Sequence, residues 1–154
     1  MRKLIVVILF IAAAITGCKV PQKAETTQKQ PQITTPKMEM QETYWKLTEL
    51  MGKPVVMNES MKKEIHIILK KEENRVQGFS GCNTIMGKYE LKEGNRISFS
   101  GMASTLMACP DLATEAEFNK MLGTIDNYSI NGNTMTLNKA KMAPMARFEA
   151  VVMK

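Results

Sequence analysis

The stretch "GFSGCNTIMGKY", residues 78–89, places a cysteine inside a glycine-bracketed turn. Gly81, Cys82 and Asn83 form the turn, and the residues on either side are apolar and strand-like. Cys82 can serve there as a nucleophile, a metal ligand, a redox thiol or half of a disulfide, so its role depends on the rest of the chain.

The sequence around this turn is mostly strand-like. "YWKLTEL" (44–50) alternates in polarity, which predicts Trp45, Leu47 and Glu49 on one face and Leu50 on the other. "ARFEAVVM" (146–153) predicts a last strand. Hairpins are predicted between 65–71 and 75–80, between 87–92 and 96–101, and between "NYSI" and "TMTLN" around Asn131-Gly132-Asn133.

One segment departs from this alternation. In "TEAEFNKMLGTI" the apolar residues Phe118, Met121, Leu122 and Ile125 recur at helical spacing. Thr114 and Glu117 have the spacing of a capping box, and Gly123 can end the helix. We therefore predict a mainly β domain, a small antiparallel barrel or sandwich, with one packed α-helix at about 114–123.

The N-terminus, "MRKLIVVILFIAAAITGC", has the pattern of an export signal. Arg2 and Lys3 precede an apolar run that covers only about 18 Å as a helix, which is short of the roughly 30 Å hydrocarbon core. Residues 1–17 are therefore predicted to be a signal peptide. "ITGC" (15–18) resembles a bacterial lipobox, which implies a lipidated Cys18. An ordinary signal peptide cut nearby is the alternative.

After Cys18 the composition predicts a tether and then one domain. Residues 18–43 are rich in Gln, Thr, Lys and Pro and contain no aromatic residue, so a disordered tether is expected. Residues 44–154 then form the domain. The tether lacks an acidic run after Cys18, which favours an outer-membrane, periplasm-facing anchor in a bacterial envelope. The formal charge of +6 is spread thinly, without the basic stripe and stacking aromatics that nucleic-acid binding requires.

Cys82 and Cys109 are the cysteines left after Cys18. A redox pair of the thioredoxin type needs Cys-x-x-Cys, and a structural zinc site needs four ligands, whereas these thiols and His66 make at most three. Three ligands could serve a catalytic zinc, but nothing in their spacing supports one, so no metal is predicted. His66 faces opposite Ile65 and Ile67 and is interpreted as a plain surface or rim histidine. An extracytoplasmic location favours a disulfide between Cys82 and Cys109, and two buried reduced thiols remain the alternative.

Once these residues are placed, the chain resembles the META domain, a family that includes heat-shock lipoproteins of the HslJ type. The resemblance rests on "YWKLTELMGKPV", "GFSGCNTIMGKYEL", "ISFSGMASTLMACPD", "EAEFNKML" and "YSINGNTMTL", in that order. It implies a lipocalin-like β-barrel with one helix, often behind a lipobox. It also implies an envelope protein linked to stress or drug tolerance, and it supplies no reaction.

The motifs of common enzymes are not found in the sequence. There is no Gly-x-Ser-x-Gly, no His-Glu-x-x-His and no phosphate loop. Asp111 and Glu115 lie close together at the predicted helix start, but turn formation and helix capping explain both. We therefore expect a protein that is not an enzyme and that needs no cofactor.

Two binding functions remain. A docking module would present the turn "SGCNT" and the loop "MASTLMACPD" to an envelope protein, because rigid loops on a β scaffold commonly bind partners. Alternatively, a barrel mouth lined by Met86, Met102, Met107 and Met135 would bind a small apolar ligand, although core filling also explains these methionines. Asn83, Met102 and Met107 are the candidate binding residues.

Overall fold

The computed structural model describes residues 38–59, 61, 63–110 and 112–152. The predicted signal peptide, the lipidation site at Cys18, Asp111 and the end of the predicted last strand lie outside the described residues. The fold below is therefore that of the predicted domain and of the six residues that precede it.

The described residues form nine strands, one α-helix and a short 3₁₀ turn at Glu72–Asn74. The strands are β1 Tyr44–Leu50, β2 Lys53–Pro54, β3 His66–Leu69, β4 Arg75–Phe79, β5 Thr84–Lys92, β6 Arg96–Ser104, β7 Asn127–Asn131, β8 Thr134–Asn138 and β9 Ala146–Val151. The helix α1, Ala113–Leu122, lies between β6 and β7 in the sequence.

All strand pairs are antiparallel, and the sheet closes on itself. From β3 to β9 each strand pairs with the next one in the sequence, β1 pairs with β3, and the pairing of β1 with β9 completes a ring. The two-residue strand β2 extends this order beside the end of β1. The predicted antiparallel β-barrel with one helix and the three predicted hairpins are confirmed.

The core lies inside the ring and includes the helix. The inward side chains of the strands and the stripe of α1 form one buried cluster, in which Phe118 meets Phe148 edge to face with ring centroids 6.4 Å apart. The observed helix is shifted by one residue from the predicted 114–123. Its predicted apolar stripe, Phe118, Met121, Leu122 and Ile125, is buried as expected.

One predicted alternation is wrong. Trp45 and Leu47 point into the core, but the pairing of β1 with β9 shifts its register between Leu47 and Glu49. This bulge reverses the alternation beyond it, because an extra residue in a strand exchanges the two faces. Leu50 is therefore buried, and Glu49 lies outside, where its carboxylate accepts a hydrogen bond of 3.2 Å from Nε of Arg147.

The folded part of the chain begins before residue 44, the boundary that the sequence predicts. Residues 38–43, which we call the N-terminal strap, pack against the barrel. Met40 is buried in the core, and its carbonyl oxygen accepts a bond of 2.8 Å from the indole Nε1 of Trp45. Glu42 binds Nζ of Lys70 at 2.8 Å and the backbone N–H of Lys71 at 2.7 Å. These six residues therefore belong to the domain rather than to the tether.

Gly78 in β4 has no room for a side chain, because a Cβ there would collide with the backbone carbonyl oxygen of His66 in β3. We expect Gly78→Ala to lower the free energy of unfolding by about 2 kcal/mol, since neither backbone can move without disturbing the ladder. Gly123→Ala is the matched control, because its Cβ would lie 3.6 Å from the nearest atom, the carbonyl oxygen of Lys120. Urea unfolding of both variants tests this, and equal stabilities would contradict it.

Candidate interaction site

The turn between β4 and β5 is closed on itself and buried. The backbone N–H of Ser80 donates to the carbonyl oxygen of Asn83 at 2.9 Å, and the hydroxyl oxygen of Ser80 lies 3.0 Å from the same carbonyl oxygen. Gly81 has a φ of 113°, a backbone conformation that residues with a side chain rarely adopt, and it lies beside the side chain of Ile65. A glycine is therefore required at this position, and the turn faces the interior of the domain.

Glu115, in the first turn of α1, binds this buried turn with both carboxylate oxygens. Oε2 accepts from the Ser80 hydroxyl at 2.8 Å and from the backbone N–H groups of Cys82 and Asn83 at 3.2 and 2.9 Å. Oε1 accepts from the side-chain amide of Asn83 at 2.7 Å. Burial by itself raises the pKa of Glu115, but these four hydrogen bonds outweigh it and lower the pKa below its ordinary value.

The predicted capping box of α1 is wrong. Leu112 occupies the N-cap position and makes no side-chain capping bond, and Thr114 does not cap the helix. The sequence indicates a helix-capping or turn role for Glu115, whereas its carboxylate joins the helix to a turn that lies 32 residues earlier in the chain. Spacing rules describe only local partners, so they could not find this contact.

Asn83 continues the network on its other side. Its side-chain oxygen Oδ1 accepts from the hydroxyl of Thr105 at 2.8 Å and from the backbone N–H of Met107 at 2.7 Å. The predicted binding residue Asn83 thus uses its amide to hold the segment after β6, which we call the 105–110 loop. Its role in the structure is to position this loop.

The disulfide between Cys82 and Cys109 is present and ties the same loop to the same turn. Cys82 is buried, whereas Cys109 is partly exposed at the far end of the loop. In the chain-entropy model, closing 27 residues stabilises the fold by roughly 3.5 kcal/mol. The 105–110 loop is therefore fixed at Thr105, Met107 and Cys109.

Between these fixed points the loop exposes apolar side chains. Leu106 is 97% exposed and Met107 is 45% exposed, while Met86 on the neighbouring strand β5 is 55% exposed. Single apolar side chains that are exposed on a mobile loop are common and do not indicate a binding site. On this loop, which is held by a disulfide and by two bonds to Asn83, Leu106 and Met107 are exposed on a backbone whose position is fixed.

The four methionines proposed to line a barrel mouth do not come together. Met135 is fully buried in the core, whereas Met86 and Met107 lie on the outside. Met102 is partly buried, and its thioether covers the face of Gly87, where a Cβ would collide with Sδ. Of the candidate binding residues, Asn83 and Met107 meet in the loop network, and Met102 does not take part in it.

A different cavity lies beneath the N-terminal strap. It has a volume of about 660 Å³. Its lining combines apolar and polar groups: Met38, Glu39, Met40, Gln41, Lys71, Leu91, Asn95, Tyr128 and Ile130. Sequence reasoning missed it because the strap residues were assigned to the tether.

His66 is not the plain surface histidine that the sequence predicts. It points away from the core residues Ile65 and Ile67, as expected, but only 8% of it is exposed. Its ring stacks between Tyr44 and Phe79, with centroid distances of 4.2 and 6.5 Å. Burial lowers the pKa of His66, so the neutral ring is favoured. Among the described residues, no three His, Cys, Asp or Glu side chains are grouped as metal ligands would be.

The closed antiparallel barrel, its packed helix and the cross-linked turn define the structural class of this domain. The sequence matches the META domain over residues 38–152, which is most of the chain. The chain therefore belongs to the META domain family. The matched range begins at the N-terminal strap, in agreement with its packing against the barrel.

Two solved structures have a similar fold. An NMR structure of a protein from Burkholderia xenovorans is 25% identical, with a TM-score of 0.60 over 74% of this chain and 85% of that chain. A second NMR structure is 24% identical, with a TM-score of 0.54 over 71% of this chain and 89% of that chain, and it shows the fold alone. No curated protein matches the sequence. None of the described helices has the length and apolarity needed to span a bilayer.

We expect Glu115→Gln to lower the free energy of unfolding by about 2 kcal/mol at neutral pH, because the buried turn loses a charged acceptor. The folded-state pKa of Glu115 is lowered, so its stabilisation is present above the ordinary glutamate pKa and is lost as the pH falls through the folded-state value. The difference from wild type should therefore shrink in acid. Urea unfolding at about pH 7 and about pH 3 measures it.

The control for this prediction is Glu117→Gln. Glu117 is on the same helix and is exposed. Its substitution should change stability by less than about 0.5 kcal/mol at either pH. A Glu115→Gln protein as stable as the control at neutral pH would show that the carboxylate network contributes nothing.

Proposed function

We propose that this protein is a cell-envelope lipoprotein whose META domain is a non-catalytic docking module for an envelope protein. The observation that carries the proposal is the exposure of Leu106 on a loop that is fixed on both sides of it. A role in stress or drug tolerance, which the family resemblance implies, is part of the same proposal.

A fixed apolar loop suits binding because it loses little conformational entropy when a partner binds. Burying one leucine contributes about 2 kcal/mol, and ordering a flexible loop would consume a comparable amount. The disulfide and Asn83 supply that order in advance. Leu106 is therefore the residue whose contact with a partner should contribute most.

The N-terminal sequence supports the proposed location. Nineteen residues separate Cys18 from Met38, where the described part of the chain begins, and a flexible segment of that length reaches roughly 25 Å. A diacylated and N-acylated Cys18 would hold the domain close to the membrane, at a typical distance of that size, facing the periplasm. A docking surface on the domain would then meet partners at the same membrane.

The titratable groups support a binding role rather than catalysis. The carboxylate of Glu115 already accepts four hydrogen bonds from the turn, and His66 is packed between two aromatic rings with Nδ1 3.0 Å from the carbonyl oxygen of Glu64. A general acid or base must reach a substrate proton. Both groups are instead committed to contacts within the domain.

The test is cross-linking and capture of the acylated protein in its own host. We expect Leu106→Asp to reduce recovery of the specific partner about tenfold, because a charge replaces the apolar contact. Val56→Asp is the matched control, since Val56 is also an exposed aliphatic residue but lies on the segment after β2. Cys18→Ser should release the protein from the membrane fraction and remove its acyl label.

Two results would contradict the proposal. One is a partner profile that Leu106→Asp and Val56→Asp change equally, because the loop would then have no special role. The other is a wild-type protein that carries no acyl chain and fractionates like Cys18→Ser. The first result removes the docking surface, and the second removes the envelope anchor.

The cavity beneath the N-terminal strap favours a second candidate function, binding of a small molecule. Its volume of about 660 Å³ is within the range of ligand sites, and its lining offers polar groups from Lys71, Gln41 and Asn95 beside apolar side chains. If this is the function, native mass spectrometry of protein from the host should show a bound mass that Ile130→Trp removes. A ligand-free wild type would contradict it.

A further inference from the structure

The barrel has an incomplete seam between β6 and β7. β5 pairs with β6 along its length, from Lys92–Arg96 to Ile85–Ser104. On the other side, β6 pairs with β7 only at Arg96–Asn127, flanked by hydrogen bonds from Ile97 N–H to Asp126 and from Tyr128 N–H to Asn95. Within the described part of the chain, no strand pairs with residues 98–104 on this side. We call this the β6 edge.

Hydrogen-bond geometry shows which backbone groups face the β6 edge. The N–H of Ile97 points towards β7, so Phe99, two residues later, faces the same side. The N–H of Thr105 points towards β5, because it donates to the carbonyl oxygen of Thr84, the first residue of β5. The N–H of the preceding residue, Ser104, therefore points away from β5. The N–H groups of Phe99 and Ser104 both point to the open side, although an odd spacing of five residues would put them on opposite sides of a regular strand. A bulge between them, where Gly101 has a φ of 58°, accounts for this.

The side chains along the β6 edge leave it accessible. The sequence "ISFSGMAS" (97–104) contains no charge and no proline, which are the residues that commonly protect exposed strand edges. Ser98, Ser100 and Ala103 are small and exposed. Phe99 and Met102, which pack against the core from the inner face, are only partly buried. An added strand could therefore approach closely and cover apolar surface.

The outward face beside the β6 edge carries an excess of positive charge. Lys88 lies directly opposite Ser100, and Lys92 and Arg96 close the same hairpin. Glu90 pairs with Lys92 at 3.1 Å and Asp126 with Arg96 at 3.6 Å, which leaves Lys88 without a matching acid among these groups. A strand added at the usual spacing of about 5 Å from β6 would bring an acidic side chain within reach of Lys88.

We propose that the β6 edge is a binding site for an extended peptide segment, which adds to the sheet as a further antiparallel strand. The segment is free of proline, has apolar residues at alternate positions to cover Phe99 and Met102, and carries an acidic residue on its outer face. Main-chain hydrogen bonds provide affinity in this mode of recognition, and alternate side chains provide specificity. The inference rests on the proposed docking function and specifies the kind of partner.

The first test uses a synthetic peptide, acetyl-Thr-Val-Glu-Val-Thr-Val-Glu-amide, and the full chain labelled with nitrogen-15 in detergent. At about 1 mM peptide, hydrogen exchange at the Phe99 and Ser104 amides should slow by about tenfold, because each gains a hydrogen bond. The same peptide with N-methyl groups on the edge-facing amides is the matched control and should have no effect. No slowing, or equal slowing with both peptides, would overturn the proposal.

A variant tests the same site from the protein side. Ser104→Pro removes an N–H that faces the open edge, and Ser104→Ala keeps it, so only the proline variant should lose at least about tenfold in peptide affinity. Comparing their melting temperatures separates a loss of binding from misfolding. If the proline variant does not fold, the comparison between the plain and the N-methylated peptide tests the site instead. Without peptide, hydrogen exchange at the Phe99 and Ser104 amides could also slow as the protein concentration rises. That result would show that a second copy of this chain occupies the edge, and it would overturn the proposal.

Failure of this site and failure of the docking function can be told apart. The peptide experiment needs no natural partner, so it can succeed even if capture from the envelope fails. Conversely, a partner that is lost with Leu106→Asp but retained with Ser104→Pro would leave the docking function intact and overturn strand addition.

Discussion

The carboxylate of Glu115 is the contact on which the rest of the domain depends. The α-helix lies outside the hydrogen-bonded ring, and its position is set by apolar packing and by this side chain. A hydrogen bond to a charged group makes a net contribution of about 1.5–3 kcal/mol to stability. Against a total stability of 5–15 kcal/mol, typical of a domain, four such bonds in a buried turn are a large term. They fix the register of the helix against the barrel.

Two different ties act on the 105–110 loop, and they reinforce each other. The disulfide limits how far Cys109 can move from Cys82, but a single cross-link leaves the intervening residues free to rotate. Asn83 removes that freedom by binding Thr105 and Met107, and Glu115 in turn orients the amide of Asn83. An asparagine amide can face two ways, and the carboxylate determines which atom points to the loop. The position of the loop around Leu106 therefore depends on the carboxylate of Glu115 in the helix.

The sequence predicts those features that repeat along the chain. Three hairpins, the helical stripe around Phe118 and the disulfide were predictable because alternation, turn residues and cysteine count report them directly. The bulge after Leu47, the partners of Glu115 and the burial of Met40 were not, since each depends on a residue distant in sequence. Met40 lies in a stretch whose composition indicates disorder, and one buried side chain with a bond from Trp45 changes that outcome. Among the candidate binding residues, spacing could not separate Asn83, which positions the loop, from Met102, which packs over Gly87.

The open seam follows from where the helix is inserted. A barrel made only of consecutive hairpins has no free edge, because each strand has two neighbours. Here the chain leaves the ring after β6 to form the helix and returns at Asn127, which pairs with the first residue of β6 rather than with its last. The remainder of β6 is thereby left with one neighbour, and its last residue, Ser104, leads directly into the loop that exposes Leu106. The backbone edge and the apolar loop are consecutive in sequence, so one partner segment can contact both.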